Sequence, residues 1–163
     1  MSTKHPNFLN ILKQHIHLIL EYNQHKKLAI SFDIDGTLYK YGVYDPMSQA
    51  EYIKSVYDFF QYCKTLPVSL FIITARPNFP QNVKSTNASL SKHNLQGTEH
   101  YFLHPGENQI IGKQNIRKRL TDQGYEFVMS IGDNICDVGK FGGQGFLVHQ
   151  PKQDPSYISF EIV

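Results

Sequence analysis

The chain has 163 residues, 40% of them hydrophobic and 18% charged, with a net charge of +2. That length can bury a full core without staples and predicts one globular domain over residues 1–163, none of it disordered by composition. The composition excludes three classes: the charge is too small to call by itself for a polyanionic partner, no apolar run reaches the ~18 residues that span a bilayer, and two distant cysteines, Cys63 and Cys136, make no disulfide framework.

Residues 1–26 carry Phe8, Leu12, Ile16, Ile19 and Leu20 at helical spacing, which predicts an amphipathic helix lying on the domain. Lys13, Gln14, His15 and His17 interrupt the run and no small-residue cleavage site follows, so a signal peptide is not expected. With reduced thiols this reads as a cytoplasmic protein. A core over 27–149 follows. "KLAISFD" (27–33) is the first strand, and "MSQAEYIKSVYDFFQYCK" (47–64) is a helix with Ser48 and Glu51 as a capping box. "VSLFIITA" (68–75) is a second strand whose unbroken apolar run predicts burial on both faces. A helix over 80–95, a short strand "HYFLH" (100–104) and a helix "KQNIRKRLTDQG" (113–124) closed by Gly124 come next. Strands "EFVMSIGD" (126–133) and "GFLVH" (145–149) complete the pattern, joined by a short turn or helical segment.

Alternating strands and helices predict an α/β fold, a Rossmann-like three-layer sandwich with a parallel five-stranded sheet. Right-handed crossovers put the C-terminal ends of all strands on one rim, where open α/β sheets bind ligands. Chemistry-bearing residues gather at those ends: Asp33 and Asp35 after the first strand, Thr74 and Arg76 after the second, Asp133 and Asp137 after the fourth, and Lys113 opening a helix. Converging carboxylates repel one another unless a cation sits among them, and all-oxygen ligands favour Mg²⁺. Asp33 held ionised there is a candidate nucleophile, and Asp35, swung back by a turn at Gly36, a candidate acid/base. Lys113 and the Thr74 hydroxyl suit an anionic, phosphoryl-like group.

The same residues in the same order resemble the haloacid dehalogenase superfamily of phosphohydrolases over residues 27 to 149. "DIDGT" is similar to its first motif, "FIIT" to its second, Lys113 to its third and "GDNICD" to its fourth. The resemblance implies strand order 5-4-1-2-3, a Mg²⁺ requirement and an aspartyl-phosphate intermediate. It implies Asp33 as nucleophile, Asp35 as acid/base, Thr74 and Lys113 on the phosphoryl group, and Asp33, Asp35, Asp133 and Asp137 as the metal set. Asp35 would serve the metal through its backbone carbonyl, and Asp137 would support either the metal or Lys113. Lys92, Arg117 and Lys118 are rivals for the place of Lys113. Neither insertion point, 37 to 46 or 77 to 112, has room for a domain, so no large cap is expected. The phrasing "ITARP" and "SIGDNICDVG" resembles the acid-phosphatase-like branch.

Thr37, Tyr39, Ala75 and Arg76 flank these motifs and are the candidate substrate contacts. Tyr39, Tyr41 and Tyr44 read either as a self-packed flap or as a stack for a substrate ring. "KQNIRKR" reads as a solvated helix face, with a nucleic-acid phosphate contact as the minority alternative. "GENQIIGKQ" misses the P-loop spacing by one residue. A response-regulator receiver would need its phosphorylated Asp after the third strand, where this chain has none. The expected partner is a phosphorylated substrate of unknown size. Nucleic acid is possible but not indicated, no membrane is expected, and an oligomer is possible. An idle relative that binds a phosphorylated partner is a second reading, against which the intact Asp33 and Asp35 weigh, and a phosphotransferase or nucleic-acid-end phosphatase is a third.

Overall fold

A computed structural model describes residues 8–24, 26–40, 51–149 and 159–163. Side chains alternate across each strand, so a strand between two helical layers must be apolar on both faces. The first strand, β1 (Lys27–Phe32), meets that condition and lies at the sheet's centre, pairing in parallel with β2 (Ser69–Pro77) on one side and β4 (Tyr125–Gly132) on the other. Beyond β2 lies β3 (Glu99–Leu103) and beyond β4 lies β5 (Gln144–His149), both parallel. The order β3-β2-β1-β4-β5 is the 5-4-1-2-3 arrangement that the resemblance implied, read from the other edge.

A sixth strand was not expected. β6 (Ser159–Ile162) adds antiparallel to β5, and the sheet therefore extends past residue 149. Its one buried side chain, Phe160, packs on Phe8 with ring centroids 4.3 Å apart, joining the sheet edge to the N-terminal helix α1 (Phe8–Tyr22). A four-residue strand gains stability only from such partners, which is why its own sequence gave little signal.

Helices α1, α2 (Lys54–Cys63) and α3 (Pro80–Lys92) contribute to the larger apolar cluster, with Ile30, Phe32 and Ile72 from the sheet. The other face, with Ala29, Phe71 and Ile73, packs against Ile116 and Leu120 of α4 (Gln109–Asp122). A register shift at β1 and β4 sets Ala29 beside Phe127 and Ile30 beside Met129, so each pair stays with its own cluster. The layers are helix, sheet, helix, and no cap domain is present among the described residues. No described helix is long and apolar enough to cross a membrane.

Two helix starts differ from expectation. Helix α2 starts at Lys54 rather than 47, because Glu51 and Tyr52 are spent on pairing: the Glu51 carbonyl accepts from the Lys40 amide and Tyr52 bridges Tyr39. Ser48, the other half of the expected capping box, lies outside the described residues, as do Tyr41 and Tyr44. Helix α4 starts four residues early, capped by Asn108, whose side chain accepts from the Ile111 amide at 3.0 Å. Lys113 therefore sits one turn inside the helix and does not open it.

Candidate active site

Strand periodicity carries the first carboxylate to its place. Ala29 faces α4, and two steps of two residues bring Asp33 to the same side. Its amide still donates to the Ile131 carbonyl at 3.0 Å, which continues the ladder one residue beyond β1. The chain then turns sharply: the amides of Thr37, Leu38 and Tyr39 all point at the Ile34 carbonyl, and Gly36 takes φ of 75°, a conformation that suits glycine. This turn returns Asp35 to the cleft that Asp33 also lines.

From the opposite layer Lys113 projects inward off α4. Its Nζ donates to Asp33 Oδ1 at 2.9 Å and also contacts Asp137 Oδ1, and all three side chains are buried. Asp137 closes the one-turn 3-10 helix Ile135–Asp137 in a capping box. Its Oδ2 accepts from the amides of Asp133 and Asn134, at 3.1 and 3.0 Å, while Asn134 Oδ1 accepts from Cys136. The cap is thus Asn134, not Asp133, and the Asp133 carboxylate is left facing the cleft. Gly132 is required here, because a Cβ would overlap the Asp137 side chain.

Oxygens of Asp33, Asp133 and Asp137 lie within 4.8 Å of one another. Burial pushes the Asp33 carboxyl well above its ordinary range and Asp137 adds to the shift, with Lys113 opposing it. Asp133, about half-buried, is pushed up to about 6, first by burial and then by its acidic neighbour Asp137. Burial pulls Lys113 down, yet Asp33 and Asp137 outweigh it and hold the ammonium above its usual value. The cluster is therefore short of positive charge: three carboxylates gather about one lysine, which touches only Asp33 and Asp137. Hard oxygen donors this close could hold a divalent metal ion. Asp137 is engaged through both oxygens, yet all three carboxylates offer an oxygen within reach of one shared cation.

The cleft, about 140 Å³, is lined by Asp33, Asp35, Ala75, Lys113, Asp133 and Asp137 together with Gln109, Asn134 and Cys136. The last three were not singled out from the sequence; Gln109 and Asn134 are ordinary polar residues whose place depends on where a helix begins.

Other candidates go elsewhere. Thr37 is buried and its hydroxyl donates toward Asp33 Oδ2 at 3.5 Å. Thr74 is buried, with its hydroxyl accepting from the Arg76 amide. Arg76, expected at the substrate, forks onto Asp35 instead: Nε to Oδ2 at 2.8 Å and Nη2 to Oδ1 at 2.6 Å, with Nη1 on Thr86. Tyr39 as a substrate stack is corrected. The residue is 1% exposed, and its hydroxyl meets Ser89 of α3 and His93, the residue that follows that helix, so a position in the core has claimed it.

The solvated reading of "KQNIRKR" fails for Lys113 and Arg117, which α4 buries, and holds for Lys118, paired with Asp122 on the surface. Of the rivals to Lys113, Arg117 is occupied by backbone carbonyls. His100 and His104 make no metal pair: one bonds Asn87 and Gly97, the other Asn78. Cys63 and Cys136 are free thiols.

A family model described as HAD superfamily, subfamily IIIB (Acid phosphatase) matches residues 39–154, starting just after the Asp33–Asp35 turn. No curated protein sequence matches the chain. Among solved structures the chain is similar to the class C acid phosphatase from Bacillus anthracis, with a TM-score of 0.65 and 20% identity over 82% of this chain and 63% of that one. It is also similar to chains of a Pnkp1/Rnl/Hen1 complex, with a TM-score of 0.57 and 17% identity over 70% and 42%. A second structure, titled as the Pnkp1/Rnl/Hen1 RNA repair complex, gives 0.60 and 16% over 70% and 38%. The chain thus spans less than two thirds of the length of these relatives, and at such identities the likeness is one of fold.

Proposed function

The chain belongs to the HAD superfamily, subfamily IIIB, the acid phosphatases, and on that premise we propose that it is a Mg²⁺-dependent phosphomonoesterase that works through a phosphorylated Asp33. The observation that carries this is Asp33 at the meeting point of Lys113, Asp133 and the turn bearing Asp35.

When bound, Mg²⁺ supplies charge to polarise the phosphoryl oxygens and holds Asp33 ionised against its burial. Asp33 and Asp133 would hold it, with Asp137 within reach of the same ion. An Asp33 oxygen attacks phosphorus and the bond from phosphorus to the ester oxygen breaks. Asp35 gives that oxygen its proton, then accepts one from the water that attacks the acyl phosphate and returns Asp33. Lys113 stays beside Asp33 throughout and offsets the charge that builds on the phosphoryl oxygens. Asp137 binds Lys113 through one oxygen and two amides through the other, so it fixes the ammonium and the 133–134 backbone together. Arg76 aims Asp35 with a two-point grip, one arm of which must yield when Asp35 carries a proton.

The test is turnover of p-nitrophenyl phosphate with Mg²⁺ and with EDTA, for the wild type and Asp33→Asn. Hydrolysis is expected only in the wild type with Mg²⁺, with both proteins equally folded by circular dichroism. Undiminished activity of the folded variant would refute Asp33 as nucleophile.

A further inference from the structure

Arg117 is a fully buried cation that the chemistry above does not use. It lies four residues after Lys113 on the inward face of α4, one turn along the same stripe. Its guanidinium sends Nη1 to the Cys136 carbonyl at 3.2 Å, Nη2 to the Val138 carbonyl at 3.2 Å and Nε to the Lys140 carbonyl at 3.0 Å. Those three acceptors flank Asp137 on both sides. Arg117 also borders, with Asp33, Lys113 and Asp137, a packing gap too small to hold a water.

One helical stripe therefore grips the acidic loop twice, Lys113 through the Asp137 carboxylate and Arg117 through the main chain behind it. A charge left in the interior is costly, and a chain that needed only packing here would carry an apolar side chain in its place. Three carbonyls spread over five residues also need a planar fork to reach them, a geometry that one lysine ammonium does not match.

We propose that Arg117 is a positioning residue for the cleft. By fixing the 136–140 segment to α4 it holds Asp137 where one oxygen meets Lys113 and the other caps the 133–134 amides, and so sets Asp133 at the metal-holding distance from Asp33. This rests on the phosphatase reading for its kinetic arm but not for its binding arm.

The experiment measures Mg²⁺ binding by calorimetry, kcat and KM on p-nitrophenyl phosphate, and thermal unfolding, for the full chain carrying Arg117→Met or Arg117→Lys. Loss of a group bonded directly to a metal ligand typically costs about 10- to 100-fold in metal affinity or activity, and Arg117, acting one step further out, is expected at the low end, about 10-fold. Both variants should therefore weaken Mg²⁺ binding and lower kcat by about that factor, while KM changes little. Arg117→Ala should regain part of both on addition of methylguanidine. A merely structural arginine would lower the unfolding temperature and leave Mg²⁺ affinity and kcat of the folded protein untouched, and that result overturns the proposal. If Arg117→Met does not fold, Arg117→Lys, which keeps the stem and the charge, decides it: wild-type Mg²⁺ affinity there is equally fatal. A wild type that binds Mg²⁺ but hydrolyses no ester would defeat the phosphatase reading alone, with Arg117 then judged by the Mg²⁺ titration.

Discussion

Lys113→Met removes the ammonium between two carboxylates and keeps the stem. Lys113, Asp33 and Asp137 have side chains exposed by 2, 8 and 3%, so solvent screens little of the interaction. Deleting one member of a buried ion cluster leaves the rest uncompensated, at a typical cost of about 3–5 kcal/mol. For a chain of this size that corresponds to a fall of about 10 °C in unfolding temperature. The deficit should depend on pH in a defined direction. Asp33 in the fold already sits well above the ordinary 3.8, and losing Lys113 raises it further. A carboxyl raised in the fold contributes most stability when protonated, below its unfolded value, and loses it as pH rises through the folded value. The variant's deficit should thus be small near pH 4 and grow towards neutrality. Urea unfolding in EDTA across that range provides the curve. In a cycle with Asp137→Asn, the two losses should be non-additive by at least ~1 kcal/mol. A deficit independent of pH, or simple additivity with Asp137→Asn, would show that Lys113 is not the counter-charge of this cluster.

Arg76→Met should lower kcat about tenfold or more with KM within about threefold, since its fork aims the acid/base group, whose own contribution is typically 10²–10⁴. A raised KM at unchanged kcat would move Arg76 to the substrate instead. Gly132→Ala should destabilise the fold by about 1–3 kcal/mol, as overpacking does, and weaken Mg²⁺ binding, because its methyl group displaces Asp137; thermal unfolding and calorimetry check both, and an unperturbed variant would refute the packing argument.

Much of this protein was legible along the chain because its signals are local. An apolar strand that ends in "DIDGT", another that ends in "GDNICD", and helical stripes between them needed only periodicity and composition. Those patterns fixed neighbouring side chains on faces and strand ends on one rim, so the gathering of Asp33, Asp35, Lys113 and Asp133 followed, while the order of the sheet came from the family resemblance.

Partners distant in the chain were another matter. Nothing in "LYKYG" says that the Tyr39 hydroxyl finds His93 just after α3, or that burial outbids a role at the cleft. The helix start at Asn108, the fork of Arg76 on Asp35, the grip of Arg117 on the 136–140 carbonyls and the added strand over 159–162 each depend on which groups meet across layers. Hydrogen bonds and ion pairs of that kind gain their strength from the dry interior, which exists only once the layers have closed. Types of residue and their local faces belong to the chain; which carboxylate holds a cation, which holds a lysine and which is held by an arginine belong to the packed fold.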